Sequence, residues 1–412
     1  MKTRLALIII SLLILAAALA GGFGLLWRFF IFFVVVLLLN YLWTRFSVRG
    51  VDGRAKKVPE SCYVGDVIKQ EFTVSNRSRI PTPVIEAHEE TDLPGYGNVT
   101  AFNLPSRGSH TWYASAPCRK RGQYHVGAFT ASVTDPLGFF PVNRKLGEPQ
   151  DVVVYPATVD LPFFQALPRQ EPGSSPRRWM ASEAGPSVSR VREYTSGDSL
   201  RHIHWQSTAH SGKLMVKEFD PDRSNYAFKY IWIVLDMQQE PHAGEGEEST
   251  EEYGITIAAS LTKKYLEGGK RVGMIASSDR PHLYLPETGE AQMQHLMHAL
   301  ALMKAVGHVR IETLLNLEAE NLEPGSAVII IMPSRDQEIA APLRRYISRG
   351  VIVTAILLDA LSFGGGTPAT DMARILAANG LHVYTIERGM RISRALDSRL
   401  FAAQTQYTGI GG

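Results

Sequence analysis

At 412 residues, 45% of them hydrophobic, the chain is long enough for two or three domains and can bury a sizeable core. Its formal net charge of +3 is mild, and much of the excess sits beside the first apolar segment. That excludes the dense basic stripe of a nucleic-acid binder. The two cysteines, Cys62 and Cys118, stand far apart in sequence and match no metal-ligand spacing. They could pair, but a reduced cytoplasmic pair is the simpler expectation.

Leu5 to Ala20 is apolar apart from Ser11, a Gly21-Gly22-Phe23-Gly24 break follows, and Leu25 to Trp43 is apolar again apart from Arg28 and Asn40. A membrane span needs ~20 mostly apolar residues, so the pattern predicts a helical hairpin over 1–45, with arms at about 5–22 and 25–43. Trp27, Tyr41 and Trp43 suit an aromatic belt, and Arg28 lies where it can reach the headgroups. Lys2 and Arg4 precede the first arm, while Arg45, Arg49, Arg54, Lys56 and Lys57 follow the second. The positive-inside rule then puts both termini and the bulk of the chain in the cytoplasm, anchored in lipid by the hairpin. Ala18-Leu19-Ala20 also resembles a signal-peptidase site, in which case the second arm alone would remain as the anchor.

Residues 46–161 read as a β-sandwich. Strand candidates are Val67 to Val74, Thr111 to Ala116, Tyr124 to Val133 and Val152 to Tyr155, separated by Gly, Pro and Asn clusters. A connector rich in Pro, Ser, Arg and Gly then leads, within 162–225, into a dense polar-aromatic segment. It contains Arg192, Glu193, Tyr194, Gly197, Asp198, Ser199, Arg201, His202, His204 and Trp205, followed by His210 and Lys217. His202 and His204 share one face of a strand and could hold a metal with Asp198, but no further ligand has a recognisable zinc spacing. Ser199 sits in no nucleophile elbow. The alternative is a structural network in which Arg192, Asp198 and Arg201 pair, Gly197 turns and Trp205 fills the core.

From 226 to 390 buried apolar runs alternate with amphipathic helices, which predicts a doubly wound, mostly parallel α/β sheet. Strands are expected at 230–236, 271–276, 327–332, 351–358 and 382–386, and helices at 252–267, 290–306, 337–349 and 371–379. Residues 391–412 form a tail. Asp236 ends the first strand, where such sheets bind ligands. The loop after it, Gln239 to Glu252, carries six glutamates and reads as a solvated insertion. No Gly-rich phosphate loop follows the strand.

The run Arg192-x-Tyr194-x-x-Gly197-Asp198-x-x-Arg201-x-Ile203-x-Trp205, then Ala209 and Leu214-x-Val216-Lys217-x-Phe219, is similar to the signature of the bacterial "domain of unknown function 58" family. Upstream, Arg121-Gly122-x-Tyr124, Asp135-Pro136-Leu137-Gly138 and Tyr155-Pro156 resemble the β-domain that precedes it there. The resemblance implies an α/β domain like von Willebrand factor A, an interaction fold, and a partnership with MoxR-type AAA+ ATPases. It implies a binding or structural motif made of Arg192, Tyr194, Gly197, Asp198, Arg201, His204, Trp205 and Lys217. In the A-type fold a magnesium site uses Asp-x-Ser-x-Ser. Here the matching positions read Asp236-Met237-Gln238-Gln239-Glu240, so Asp236 and Glu240 are the remaining hard-oxygen candidates. His204 and His210 stand where the family often has Asp and Arg. The expectation is a membrane-tethered, non-enzymatic scaffold. The alternative is a metal-dependent ligand sensor or hydrolase built on Asp198, His202 and His204, or on Asp236 and Glu240.

Overall fold

A computed structural model describes residues 11–16, 24–95, 97, 99–135, 137–166, 188–195, 203–219, 228–335 and 339–399. The chain is multidomain. Its contacts divide into two compact units, one built mainly from residues up to Ala157 and the other mainly from Thr158 onward.

The first unit begins with an apolar helix, α1 (Gly24–Arg49), whose stretch Trp27–Arg49 is long and apolar enough to cross a membrane. Residues 11–16 are helical too, and the rest of the expected first arm lies outside the described residues. Within α1 two polar side chains bond back to their own helix, as a helix in lipid would need. Asn40 Nδ2 donates to Val36 O at 2.9 Å, and Thr44 Oγ1 donates to Asn40 O at 3.1 Å.

The helix runs to Arg49, six residues past the expected end at Trp43, because its last turns are held by protein. Thr44, Ser47 and Val48 are buried, and Tyr41 packs edge-on against Phe140. Arg144 Nη1 donates to the terminal carbonyls of Val48 at 2.8 Å and Arg49 at 3.2 Å, a cationic cap on the negative end of the helix. Gly50 alone separates α1 from strand β1 (Val51–Ala55). A Cβ at Gly50 would lie 2.5 Å from Ser78 Cβ, so the junction admits only glycine.

The β-fold comprises β1, β2 (Ser61–Tyr63), β3 (Val67–Asn76), β4 (Thr82–Glu90), β5 (Val99–Leu104), β6 (Ser109–Pro117), β7 (Gly122–Val126), β8 (Ala128–Thr134), β9 (Val142–Leu146) and β10 (Gln150–Tyr155). Sheets ordered β1-β3-β6 and β5-β4-β8-β9 enclose a core of Phe72, Ile85, Leu104, Trp112 and Phe129. The alternation on β3 and β8 is the signature of sheets with one face packed and one face wet. A smaller sheet, β2-β10-β7, shares a second core with the ends of β3 and β6. The strand expected over Tyr124 to Val133 is two strands. Gly127, at φ +94°, breaks it.

In the second unit a six-stranded sheet runs β17-β16-β13-β18-β19-β20. Its members are β13 (Ile231–Leu235), β16 (Val272–Ser277), β17 (Pro281–Glu287), β18 (Ala327–Pro333), β19 (Ile352–Leu358) and β20 (His382–Ile386). Strand β17 is antiparallel to β16, and the remaining pairings are parallel. Strands β13, β16, β18 and β19 are buried along their whole length, as expected for a parallel sheet covered on both faces. Helices α3 (Thr250–Glu267), α4 (Glu290–Leu302), α5 (Ile311–Leu317), α6 (Ala340–Ser348) and α7 (Ala369–Ala378) connect them. Each expected strand and helix of this sheet is present, with ends shifted by a few residues. Strand β17 and helix α5 are additional.

Residues 158–166 pack on this unit and not on the sandwich, so the expected boundary at 161 moves to 157. Val159 N donates to Ser260 Oγ at 2.9 Å, Tyr384 Oη donates to Gln165 O at 3.1 Å, and Leu161 and Phe164 are buried.

Candidate functional site

Two places in the second unit collect the residues that the sequence singles out. One is the carboxyl edge of the sheet. The chain moves outward from β13 to β16 and β17, then returns to build β18, β19 and β20 on the other side. The strand order therefore reverses between β13 and β18, and open α/β sheets bind ligands in the crevice this leaves.

Asp236 follows β13 and is 2% exposed. It forms an ion pair with Arg335, which stands two residues beyond β18. Arg335 Nη1 also donates to Gln238 Oε1 at 3.0 Å, and the Gln238 N–H donates to Asp236 Oδ1 at 3.1 Å. Burial pulls the guanidinium down to about 10, which leaves it charged at neutral pH. The backbone of the Asp236 loop is pinned from the side by Gly307, whose N–H donates to Met237 O and whose carbonyl accepts from Gln239 N, both at 2.9 Å. A Cβ at Gly307 would stand 2.3 Å from Ser277 O.

The glutamate-rich loop is not a loose insertion. It folds as a two-stranded hairpin, β14 (Gly244–Glu245) with β15 (Glu248–Ser249), before α3. His242 holds its base. Its Nε2 lies 2.9 Å from Asp236 O and its Nδ1 lies 3.0 Å from Thr250 Oγ1. Burial pushes the imidazole down to about 4, so it stays neutral. Ser249 then caps α3, its Oγ accepting from Glu252 N at 3.3 Å.

The expected magnesium ligands do not form an oxygen site here. The Asp236 carboxylate is taken by Arg335, and Glu240 is exposed and reaches the cluster only through Gln238 Nε2, at 3.4 Å. Among the described residues no three His, Cys, Asp or Glu side chains converge. A hard divalent ion wants several oxygen donors and little competing positive charge, so this donor set does not fit magnesium.

The second place is the signature motif. Strand β11 (Val188–Glu193) pairs antiparallel with β12 (Met215–Phe219), and helix α2 (Trp205–Ser211) joins Ile203 to the returning strand. Lys217 lies opposite Val191 in this register. Arg192 Nη1 donates to Glu193 O at 3.2 Å and to Thr195 Oγ1 at 3.0 Å. Tyr194 N donates to Leu214 O at 2.9 Å. Gly197, Asp198, Arg201 and His202 lie outside the described residues.

His204 is the N-cap of α2. Its side chain accepts from Ser207 N at 3.2 Å and meets Ser207 Oγ at 2.7 Å. This commits Nδ1 to the helix end and not to a metal. Trp205 does not fill a core. It is 68% exposed, because α2 is seven residues long, has no buried residue, and rests on a two-stranded sheet with no second layer among the described residues to receive an indole. An open recess along α2 is lined by His204, Gln206, Ser207, His210, Ser211 and Met215 and not by Trp205.

Residues 190–359, from the signature strand through β19, match the family model described as "Protein of unknown function DUF58". The "Uncharacterized protein YeaD" of Bacillus subtilis (strain 168) is 22% identical over 311 residues, covering 72% of this chain and 74% of that protein. Among solved structures, the CARDB domain of the PF1109 protein from Pyrococcus furiosus covers 25% of this chain and 86% of its own, at 17% identity and a TM-score of 0.20. Proximal thread matrix protein 1 from the mussel byssus covers 40% of this chain and 45% of its own, at 16% identity and a TM-score of 0.30.

Proposed function

We propose that this chain is a membrane-anchored, non-enzymatic scaffold that binds a protein partner through its α/β unit. The observation that carries this reading is Trp205, an indole 68% exposed in the segment that matches the family model. Tryptophan supplies much of the binding energy at protein interfaces, and an indole this exposed suits that use. The crevice at the carboxyl edge supports the same reading, because its buried carboxylate, Asp236, is neutralised internally by Arg335. We assign the α/β unit to the von Willebrand factor A type on its doubly wound order and on the signature motif. The partner we propose is a MoxR-type AAA+ ATPase in a chaperone-like or assembly system. Both soluble units would face the cytoplasm, with the N-terminal apolar segments as a two-pass anchor.

Affinity capture of the full-length protein from its native membrane, after in-cell cross-linking, tests this. The intact chain should recover an AAA+ ATPase. Trp205→Ala should lower that recovery at least tenfold, the ~1.4 kcal/mol or more expected of an interface anchor, with an unchanged melting temperature. Recovery of other proteins but no ATPase would reject the partner. An unaltered yield with Trp205→Ala would reject the surface.

A further inference from the structure

Cys62 and Cys118, 56 residues apart in sequence, meet in the second core of the β-fold with their sulfurs 3.0 Å apart. Cys118 is 1% exposed and Cys62 is half-buried. Their backbones are locked together. Gly65 N donates to Cys118 O and Cys118 N donates to Asp66 O, both at 2.9 Å. Cys62 is held independently by the pairing of β2 with β10, opposite Val154. Two thiols this close on a fixed frame need a shift of only about 1 Å to reach the ~2.05 Å of a disulfide.

We propose that Cys62 and Cys118 are a preformed dithiol, a modification site that closes to an intramolecular disulfide by exchange with a small disulfide oxidant such as oxidised glutathione. The Cys62 thiolate, on the more accessible sulfur, attacks one sulfur of the oxidant, forms a mixed disulfide and releases one thiol. The Cys118 thiolate then attacks the Cys62 sulfur of that mixed disulfide, forms the Cys62–Cys118 bond and releases the second thiol. The protein loses two protons and two electrons, and these leave as two reduced oxidant thiols. Burial and the neighbouring sulfur push the Cys62 thiol up, so the first attack is slow at neutral pH. The product is a slow covalent clamp that ties the three-residue strand β2 to the chain leaving β6. It is independent of any partner at the α/β unit.

The test uses the full-length protein in membrane vesicles, equilibrated with glutathione buffers of rising oxidised fraction. The mixture is then quenched in acid, alkylated in denaturant and digested. A linked Cys62–Cys118 peptide should appear in step with loss of alkylation at both residues. The oxidised fraction needed should be at least tenfold lower for the native protein than in urea. Oxidised protein should also melt higher than reduced protein, and Cys62→Ser should abolish that difference. The proposal is overturned if both cysteines stay alkylatable in the most oxidising buffer. Accumulation of glutathione on Cys62 without linkage, or a lower melting temperature for the linked form, would overturn it too.

Discussion

At the scale of single residues, Arg335 decides what the crevice can do. A buried aspartate at a ligand-binding edge invites a metal, but a guanidinium already supplies the positive charge. Removing one member of a buried pair leaves the other uncompensated, at a cost of about 3–5 kcal/mol. Arg335→Met should therefore lower the stability of the α/β unit by about that much in urea titration, and Arg335→Met with Asp236→Asn should recover most of it. Titration of the wild-type chain with magnesium or manganese should give no heat of binding. A binding heat abolished by Asp236→Ala would overturn this account. Asp236 is legible in the sequence because it ends a continuous apolar run. Arg335 is not, because nothing local to it points to a partner about a hundred residues upstream, and only the β13–β18 pairing brings them together. Trp205 is misread from sequence for a related reason. An indole predicts burial only where a second layer exists to take it, and α2 has none among the described residues.

At the scale of elements, the hairpin after β13 is held at its base by a neutral imidazole, alongside the Ala243–Thr250 hydrogen bonds. The His242 side chain titrates near its ordinary 6.5 in the unfolded chain and at about 4 in the fold. Between those values the unfolded state binds the extra proton, so stability falls as pH drops from about 6.5 towards 4 and is unaffected by this group above that window. The shift corresponds to at most about 3–4 kcal/mol. His242→Gln should flatten that part of the stability–pH curve, as read from urea midpoints at several pH values. The elements of the α/β unit are legible because buried parallel strands are unbroken apolar runs. Strand β17 escapes because its alternating exposure, on an edge, looks like an ordinary polar connection. The hairpin escapes because six glutamates in one loop argue for solvent, and the single histidine that anchors it carries no sequence signal of its own. The end of α1 escapes because the cap that extends it comes from Arg144, on β9.

At the scale of the whole molecule, the order of anchor, β-fold and α/β unit is visible in composition alone, since each has its own hydrophobic period. The join between the first two is not. Sequence places the boundary at 45/46, whereas the helix runs on to Arg49, Gly50 is the entire connection between α1 and β1, and Arg144, Tyr41 and Phe140 brace it. Inserting Gly-Ser-Gly-Ser after Arg49 should release that brace. A nitroxide placed at Tyr113, which is 71% exposed, should then tumble faster in liposomes with the insertion than without it.

This rigid join has a mechanical consequence. The 26 residues of α1 span about 39 Å, against about 30 Å for a hydrocarbon layer, so a bilayer crossed by this helix would leave roughly six residues of it outside the lipid. The tilt of a spanning helix follows the fit between its apolar stretch and the thickness of the membrane. With no slack at Gly50, the β-fold must swing with the helix. In a bilayer this helix would then work as a lever, and the surrounding lipid would set the angle at which the fold is carried.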